Sequence, residues 1–325
     1  MRALIIGFGS IGRRHARNLL GLEPDCSLVI VRRDGIEDDE TRDLGSRVVG
    51  SLDDGFRTHP DIAVVANPSA LHAGTVLRAL EAGIACYVEK PVITTRRDAH
   101  RIREVLRRTK PITTYSGCNL RLLPSLQEVR RILSDGELGT IVRADFQVGQ
   151  SLPSWRPGAD YRSGYSARRE LGGGVVFDLV HELDAVRWLL GDGFEVRGAV
   201  QGRFSSFDID VEDTACAVLG RPYGPPAVTV SMDYVHRGRM RRYTFVGEEG
   251  TLVWDFDEEC VRCIKATGQE EIARMDGGFD TDSTYLRAMT EFIECAKRGS
   301  PTTQDLEEGM RSAELALAVK EASLQ

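Results

Sequence analysis

The sequence predicts an α/β protein. An N-terminal, doubly wound parallel sheet of the Rossmann type is followed by a C-terminal α/β domain with an open, mainly antiparallel sheet. In the first part of the chain, short apolar runs alternate with segments whose apolar residues recur at helical spacing, as expected of a parallel sheet with helical crossovers. Further along, runs rich in Val, Thr, Phe and Tyr follow one another with turns between them and few helices.

Length and this change of pattern divide the chain into two predicted domains. A chain of 325 residues is too long for one typical domain. The pattern changes near residue 120, so we predict a first domain over 1–119 and a second over 120–325, with the last helix as a candidate to pack back on the first. The predicted strands of the first domain are 3–6, 28–31, 48–49, 62–66, 85–88 and 112–115.

The second domain is predicted to contain seven strands and only a few helices. One helix is expected over 123–133 and another over 175–190, and two more close the chain around Met289 and Met310. The predicted strands are 141–149, 195–206, 213–219, 227–235, 241–247, 251–256 and 260–265.

Composition excludes several classes of function. The net charge of −7 disfavours a nucleic-acid-binding surface, because affinity for the phosphate backbone comes from Lys and Arg. No apolar run approaches the length of a membrane span. Seven cysteines do not form a secreted disulfide framework, and the single CxxC of Cys260 and Cys263 lacks the four ligands of a structural zinc site, so we expect no metal and a cytoplasmic location.

A glycine-rich loop between the first strand and the first helix predicts dinucleotide binding. In such a loop the first glycine permits a tight turn, the second lets the backbone approach a pyrophosphate, and the third allows the helix to pack closely on the strand. The diphosphate then lies on free N–H groups at the helix N-terminus. A glycine-rich turn without a ligand is the alternative. The loop is Gly7-Phe8-Gly9-Ser10-Ile11-Gly12.

The end of the second strand bears on the choice of cofactor. An acidic residue about 20 positions after the loop would bind the ribose hydroxyls and favour NAD. This chain has Arg32-Arg33-Asp34 there, and two guanidinium groups suit a 2′-phosphate. We therefore predict that NADP is favoured; Asp34 keeps NAD as the alternative, and two solvated arginines are the simpler explanation.

The fifth strand ends in Glu89-Lys90-Pro91, at the edge of the sheet where ligands bind in open α/β folds. A lysine at that edge can donate or accept the proton of a substrate oxygen while a hydride moves. A carboxylate beside it would offset the cost of holding the charge there. Asn67-Pro68, one strand earlier, makes the tripeptide a more specific signal.

A second constellation follows three consecutive glycines, in the segment DLVHELD. If the segment is one helix, Asp178, His181 and Asp184 are three positions apart and share a face. A histidine flanked by carboxylates is held in one tautomer and can act as a general base. The alternative is a capped surface helix with an incidental histidine.

With these motifs, the chain resembles the Gfo/Idh/MocA family, the glucose–fructose oxidoreductase and inositol dehydrogenase group. The likeness runs essentially end to end, through GFGSIG, ANPSALH, YVEKP, NLRLLPSL, ELGT, GGGVVFDLVHELDAVRWLLG and the closing helix pair. It implies an N-terminal Rossmann domain and a C-terminal domain whose open sheet often forms the oligomer interface, hence a homo-dimer or tetramer. It maps Lys90, Asp178 and His181 onto the family's catalytic Lys, Asp and His.

The chain departs from the family pattern at one place. The family commonly separates its catalytic Asp and His by four residues, and here the gap is three, which leaves open whether Asp178 or Asp184 supports His181. The expected cofactor-binding residues are Gly7, Phe8, Gly9, Ser10, Ile11, Gly12, Arg32, Arg33, Asn67, Pro68, His72, Glu89 and Lys90. The expected substrate-binding residues are Asn119, Arg121, Trp155, Arg156, Tyr161, Arg162, Asp178 and His181.

A loop before that helix carries four arginines within fourteen residues. Pro153, Pro157 and Gly158 mark the segment as a loop. Arginine suits carboxylate or phosphate, and aromatic rings give sugars or bases a flat face, so we predict an anionic, sugar-like substrate; solvated arginines are the alternative. The arginines are Arg156, Arg162, Arg168 and Arg169, and the aromatic residues are Trp155, Tyr161 and Tyr165.

The leading hypothesis is hydride transfer between nicotinamide and a secondary alcohol or ketone of a sugar, sugar nucleotide or cyclitol. The DLVHELD version of the motif resembles members found with surface-sugar biosynthesis, which is an analogy rather than chemistry. A non-catalytic, NAD(P)-sensing regulator on the same fold is the alternative, and the pair Lys90 and His181 argues against it. An imine or ring reductase similar to biliverdin reductase would share the cofactor domain but needs no His–carboxylate stripe.

Overall fold

The computed structural model describes residues 1–156 and 158–322. Pro157, one of the residues that mark the arginine-rich loop, and residues 323–325 of the predicted second domain lie outside the described residues. The chain folds into two compact units. The first comprises Met1–Cys118 and Asp282–Arg311, and the second comprises Asn119–Thr281 and the chain from Ser312 onward. Residues 282–311, which the sequence pattern alone assigns to the second domain, are thus part of the first unit.

The first unit is built on a six-stranded parallel sheet. Its strand order is β3-β2-β1-β4-β5-β6, the order of doubly wound dinucleotide-binding folds. The central strands are buried along their whole length, which explains why they read as continuous apolar runs. The strands are β1 Arg2–Ile6, β2 Ser27–Val31, β3 Arg47–Val49, β4 Ile62–Val65, β5 Ala85–Val88 and β6 Thr114–Ser116.

Helices cover this sheet, and two of them are short segments that the sequence did not predict. Residues 39–43 form a helix because Asp38 and Thr41 cap it reciprocally, a local device that leaves no apolar periodicity. The helices of the first unit are α1 Ser10–Leu22, α2 Asp39–Asp43, α3 Leu52–Phe56, α4 His72–Glu81 and α5 Arg96–Arg108.

Residues 282–311 complete the core of the first unit along strand β6. Ser116 donates its backbone N–H to Gln304 O at 2.7 Å, and the hydroxyl of Thr302 donates to Thr114 O at 2.6 Å. The ring of Phe292 packs edge-on against Tyr87 at 5.8 Å. These long-range contacts explain why the segment belongs to this unit.

The second unit contains an eight-stranded sheet with the order β14-β13-β12-β11-β7-β10-β9-β8. Only β7 and β10 pair in parallel; the other neighbours are antiparallel, as the predicted mainly antiparallel sheet requires. Strand β9 alternates buried and exposed residues, so one face of the sheet is covered. The strands are β7 Ile141–Gln150, β8 Glu195–Gly202, β9 Thr214–Gly220, β10 Ala227–Asp233, β11 Arg239–Gly247, β12 Gly250–Asp255, β13 Cys260–Lys265 and β14 Glu270–Ala273.

The prediction of one helix over 175–190 is wrong, because the structure has two. The first ends at Asp178, where Leu179 leaves helical backbone angles at ψ 31°, and the second starts at His181. Glu212 fixes the start of the first by accepting the Val175 N–H through its backbone carbonyl. The remaining helices are α6 Pro124–Ser134, α7 Val175–Asp178, α8 His181–Leu190, α9 Thr281–Arg298 and α10 Leu306–Ala322.

Strand β14 was not predicted. Its four residues are all exposed, so it has no apolar alternation to reveal it. Within residues 1–156 and 158–322, no helix combines the length and apolar composition that crossing a membrane requires. In the same part of the chain, no three His, Cys, Asp or Glu side chains lie together as metal ligands would.

Candidate active site

The glycine-rich loop of the first unit has the geometry of a pyrophosphate-binding loop. Gly7 has a φ of +91°, and an added Cβ would lie 2.6 Å from the carbonyl oxygen of Ala66. A Cβ on Gly12 would collide with the carbonyl oxygen of Gly7. At Gly9, by contrast, no atom lies within 4 Å of the added Cβ. Two glycines are therefore required by packing, whereas the middle one faces open space that a ligand can approach.

Helix α1 begins at this loop with free donors. Gly9 is its N-cap residue and provides no side-chain cap, and the first turn carries no acidic residue. The first N–H groups of a helix lack partners within the helix and, together with its dipole, attract an anion. These residues fit the diphosphate of a dinucleotide.

A cleft of about 700 Å³ in the first unit connects the loop with the end of β2 and the Asn67-Pro68 turn. It brings together six of the thirteen sequence-predicted cofactor residues, and it is also lined by Leu71, an exposed residue that the sequence did not single out. The predicted residues that line it are Gly7, Phe8, Arg32, Arg33, Asn67 and Pro68, beside Asp34.

The two arginines at the end of β2 differ in their surroundings. Arg32 forms ion pairs with Asp38 at 2.6 Å and with Asp34 at 3.2 Å. The Thr41 N–H and then Arg32 lower the pKa of Asp38 to about 2. Arg33 is exposed, and among the residues the structure describes no carboxylate lies within ion-pair distance of it. Arg33 is therefore the guanidinium available to a ligand in the cleft.

The Glu-Lys-Pro turn follows β5 at the carboxyl edge of the sheet, as predicted. Glu89 is buried and donates its backbone N–H to Val65 O at 2.9 Å. One oxygen of its carboxylate lies 2.7 Å from Nε2 of His15, and the other accepts the backbone N–H of Lys90 at 3.3 Å. The Lys90 side chain is half-buried. The turn is thus fixed through Glu89.

His72, an expected cofactor-binding residue, is buried beneath this turn. Its two ring nitrogens lie 2.8 Å from the backbone oxygens of Pro91 and Asn67. Burial, the larger effect, lowers the pKa of His72, while the two carbonyl contacts act in the opposite direction. Its ring therefore links the Asn67-Pro68 turn to the Glu-Lys-Pro turn, and a direct contact with a cofactor stays a prediction.

In the second unit, Asp178 lies in a buried cluster with two tyrosines. The hydroxyl of Tyr234 donates to its Oδ2 at 2.6 Å, and Tyr165 is hydrogen-bonded to the same carboxyl group. Burial, followed by the charge of Asp178, raises the pKa of both phenols well above the usual value. Trp155 packs edge-on against Tyr234 at 5.2 Å. Tyr234 is 56 residues from Asp178 and was not among the predicted site residues.

His181 and Asp184 are both on α8 but have different surroundings. His181 is the first residue of the helix and is buried. Asp184 forms a bidentate ion pair with Arg121 at 2.9 and 2.6 Å and accepts the Ser312 hydroxyl at 2.7 Å. The shared-face argument fails because the helix is interrupted, and the Asp184 carboxylate is engaged with Arg121. Asn119, also an expected substrate residue, is buried in a short turn.

The arginines of the arginine-rich loop have different partners. Arg162 pairs with Asp160 at 2.9 Å, and the Arg169 guanidinium donates to Asp210 O at 2.9 Å. Arg156 is exposed and lies over the ring of Tyr165 at 5.6 Å. In the same loop, the hydroxyl of Tyr161 accepts the backbone N–H of Asp208 at 3.3 Å. Arg156 is thus the arginine of this loop adjacent to the Asp178 cluster.

These features define a class of protein: a dinucleotide-dependent oxidoreductase with a Rossmann unit. Residues 1–116 match the oxidoreductase family with an NAD-binding Rossmann fold, and residues 126–253 match the GFO/IDH/MocA C-terminal domain. The chain belongs to the GFO/IDH/MocA family. The predictions of family, fold class and oxidoreductase are confirmed.

Characterised relatives are distant. The chain is 25% identical to scyllo-inositol 2-dehydrogenase (NAD(+)) of Bacillus subtilis, over 94% of this chain and 90% of that protein. It is 29% identical to dTDP-3,4-didehydro-2,6-dideoxy-alpha-D-glucose 3-reductase of Actinomadura kijaniata, over 78% of this chain and 74% of that protein. Some other relatives align over only 31–54% of their own length.

A solved structure shows the same fold. Levoglucosan dehydrogenase, in complex with NADH and levoglucosan, superposes with a TM-score of 0.84 at 17% identity, over 100% of this chain and 97% of that chain. At that identity the likeness concerns the fold alone. The roles of individual site residues stay predictions.

Proposed function

We propose that the protein transfers a hydride between nicotinamide and a secondary alcohol or ketone carbon of a sugar, sugar nucleotide or cyclitol. The observation that supports this proposal best is the Glu-Lys-Pro turn, which fixes Lys90 at the carboxyl edge of a sheet whose glycine loop fits a diphosphate. The named activities of the relatives, on an inositol and on a nucleotide-linked sugar, support the substrate class.

The proposed roles follow from the balance of the reaction. When an alcohol is oxidised, its carbon loses a hydride, which the bound cofactor accepts, and its oxygen loses a proton. Lys90 is proposed to take up that proton or, in reduction, to return it, and His181 is proposed as a further general acid–base group. Asp178 is proposed to support His181, because the Asp184 carboxylate is engaged with Arg121. The hydroxyl of Tyr234 donates to Asp178 and helps to hold this carboxyl group in place.

For the cofactor, NADP(H) is the proposed preference, with Arg33 as the group that binds the 2′-phosphate. Arg33 is exposed in the cleft, whereas Arg32 is held by two carboxylates. NAD(H) is the alternative, because the family is NAD-binding and Asp34 can accept the ribose hydroxyls.

For the substrate, an anionic sugar or sugar nucleotide is proposed, with Arg156 as its anion-binding group. The position of Arg156 over Tyr165, which itself bonds Asp178, supports this role. A role in surface-sugar biosynthesis is part of the proposal by analogy with similar family members. Neutral polyols are the alternative, in which case Arg156 is a solvated arginine.

A homo-oligomer formed through the sheet of the second unit is also proposed, as a dimer or tetramer. Five large apolar residues are exposed on its strands: Val142, Val200, Val218, Ile264 and Ile272. Exposed apolar side chains are usual where a sheet contacts another subunit. Light scattering coupled to gel filtration measures the mass, and a monomer at micromolar concentration would remove this part of the proposal.

Lys90→Met tests the reaction. Methionine keeps the length of the side chain but removes the amine, so NADPH binding should persist while turnover falls about 10²- to 10⁴-fold. Lys110→Met, which changes an exposed lysine just beyond α5, is the matched control. The assay follows NAD(P)H absorbance with a panel of sugars, sugar acids, nucleotide sugars and inositols.

Two outcomes would contradict the proposal. If Lys90→Met turns over its best substrate at a near-normal rate, Lys90 has no part in the mechanism. If the wild-type protein binds the cofactor but oxidises or reduces nothing in the panel, a non-catalytic, cofactor-sensing regulator explains the observations better.

A further inference from the structure

A buried histidine on the cofactor helix holds the catalytic turn of the first unit. His15 lies on α1, 74 positions before Glu89, and its Nε2 is 2.7 Å from Glu89 Oε1. The side chains are 0% and 9% exposed. Burying two such groups is costly, and well-packed apolar residues would often stabilise the fold as well. The pair is therefore better explained by what it positions than by stability.

The surroundings of His15 determine which of its ring nitrogens carries the proton and donates the hydrogen bond. Its Nδ1 is buried and has no hydrogen-bond partner among the described atoms. A proton on Nδ1 would leave a buried donor unsatisfied, so the favoured tautomer has its proton on Nε2. Nε2–H then donates to Oε1 of Glu89. The ring of Tyr87 at 4.7 Å and that of Tyr285 at 6.1 Å hold the imidazole in this orientation.

The same carboxylate is confined on its other side. Its Oε2 accepts the Lys90 N–H, and a Cβ added to Gly117 would lie 3.2 Å from the carboxylate atoms. Glu89 therefore has no room to move away from Lys90. The titratable groups next to this pair include Lys90, His72 on α4, Tyr87 on β5 and Tyr285 on α9. Tyr87 in turn interacts with Tyr115 on β6 and with Cys118.

We propose that His15 is a positioning residue for the proposed reaction: it fixes the Glu89 carboxylate, and Glu89 fixes the backbone and the electrostatic surroundings of Lys90. Helix α1 begins at Gly9, in the loop that fits the diphosphate, and His15 lies on the same helix. Helix α1 thus connects the loop where the diphosphate is proposed to bind with the contact that holds the Lys90 turn. The inference rests on the proposed role of Lys90.

Three variants test the inference through turnover. His15→Leu removes the donor, and we expect kcat to fall about 10- to 100-fold because the lysine is misplaced. KM and the Kd for NADPH should change by less than about threefold. His15→Gln, whose amide can reach the same carboxylate oxygen, should restore kcat to within about threefold of wild type. If His15→Leu does not fold, His15→Asn, whose amide is too short, takes its place.

A second measurement needs no substrate. Acetic anhydride labels lysine amines at fixed pH, and mass spectrometry gives the rate for Lys90 relative to the other four lysines, Lys110, Lys265, Lys297 and Lys320. Without its donor, the Glu89 carboxylate holds the turn less firmly, so the half-buried Lys90 side chain becomes more accessible to the reagent. The relative rate for Lys90 should rise more than about threefold in His15→Leu and stay at the wild-type value in His15→Gln.

Either of two results would overturn the inference. One is an unchanged relative labelling rate for Lys90 in His15→Leu. The other is an equal loss of kcat in the Leu and Gln variants, which would mean that the shape of His15 matters rather than its hydrogen bond. Because labelling requires no turnover, a wild-type protein without activity would count against the proposed function and leave the His15 measurement intact.

Discussion

Arg33→Ala should abolish the preference for NADPH over NADH. A hydrogen bond to a charged group is worth about 1.5–3 kcal/mol, and the exposure of Arg33 places it at the lower end of that range. Asp34, whose side chain is 48% exposed, lies next to the same site and repels a phosphate, an effect that the solvent screens. This repulsion offsets part of the Arg33 contribution, so the net preference of the wild type for NADPH is about two- to tenfold.

The assay is titration of intrinsic or cofactor fluorescence with NADPH and NADH. Arg33→Ala should raise the Kd for NADPH about tenfold and leave that for NADH unchanged. Arg42→Ala is the matched control, because Arg42 is exposed, pairs with Asp39 and does not line the cleft. Asp34→Asn should strengthen NADPH binding. Equal affinity of the wild type for both cofactors, or an equal loss of both in Arg33→Ala, would refute the reasoning.

Three further predictions concern the loop, the helix and the glycines. Arg156→Ala should raise KM for an anionic substrate about tenfold and Arg162→Ala should not, since Asp160 neutralises Arg162; equal effects would contradict this. Asp184→Ala leaves Arg121 buried without its carboxylate, so urea unfolding should show a loss of about 3–5 kcal/mol. Gly12→Ala should lower Tm, whereas Gly9→Ala should keep Tm and weaken NADPH binding; an unchanged Tm in Gly12→Ala would contradict the packing argument.

Much of the first unit could be predicted from sequence because its signals are local. Each buried parallel strand is a continuous apolar run, and each glycine of the loop has a requirement that adjacent elements impose. The carboxyl edge of the sheet then gives the position of the Glu-Lys-Pro turn without further information. The spacing of Gly7, Gly9 and Gly12 was therefore sufficient to predict the tight turn and the close packing of this loop.

The groups that act through long-range contacts could not be predicted in this way. His15 is an ordinary residue of a helical stripe until Glu89 lies beside it, and Tyr234 gains its meaning only from Asp178. The interruption at Leu179 was missed because Leu179 and Val180 are apolar and the surrounding pattern is compatible with one continuous helix. A periodic pattern in the sequence indicates which face of a helix or strand is buried. It does not indicate which distant residues that face contacts.

The return of residues 282–311 to the first unit has a consequence for how the protein is made. Strand β6 emerges from the ribosome early, but the segment that caps it, through Gln304 on Ser116 and Thr302 on Thr114, is among the last to be synthesised. Strand β6 of the nascent first unit therefore stays uncovered until the whole second sheet has been translated. We expect residues 1–119 expressed alone to be prone to aggregation, and chaperone demand during synthesis to fall mainly on this interval.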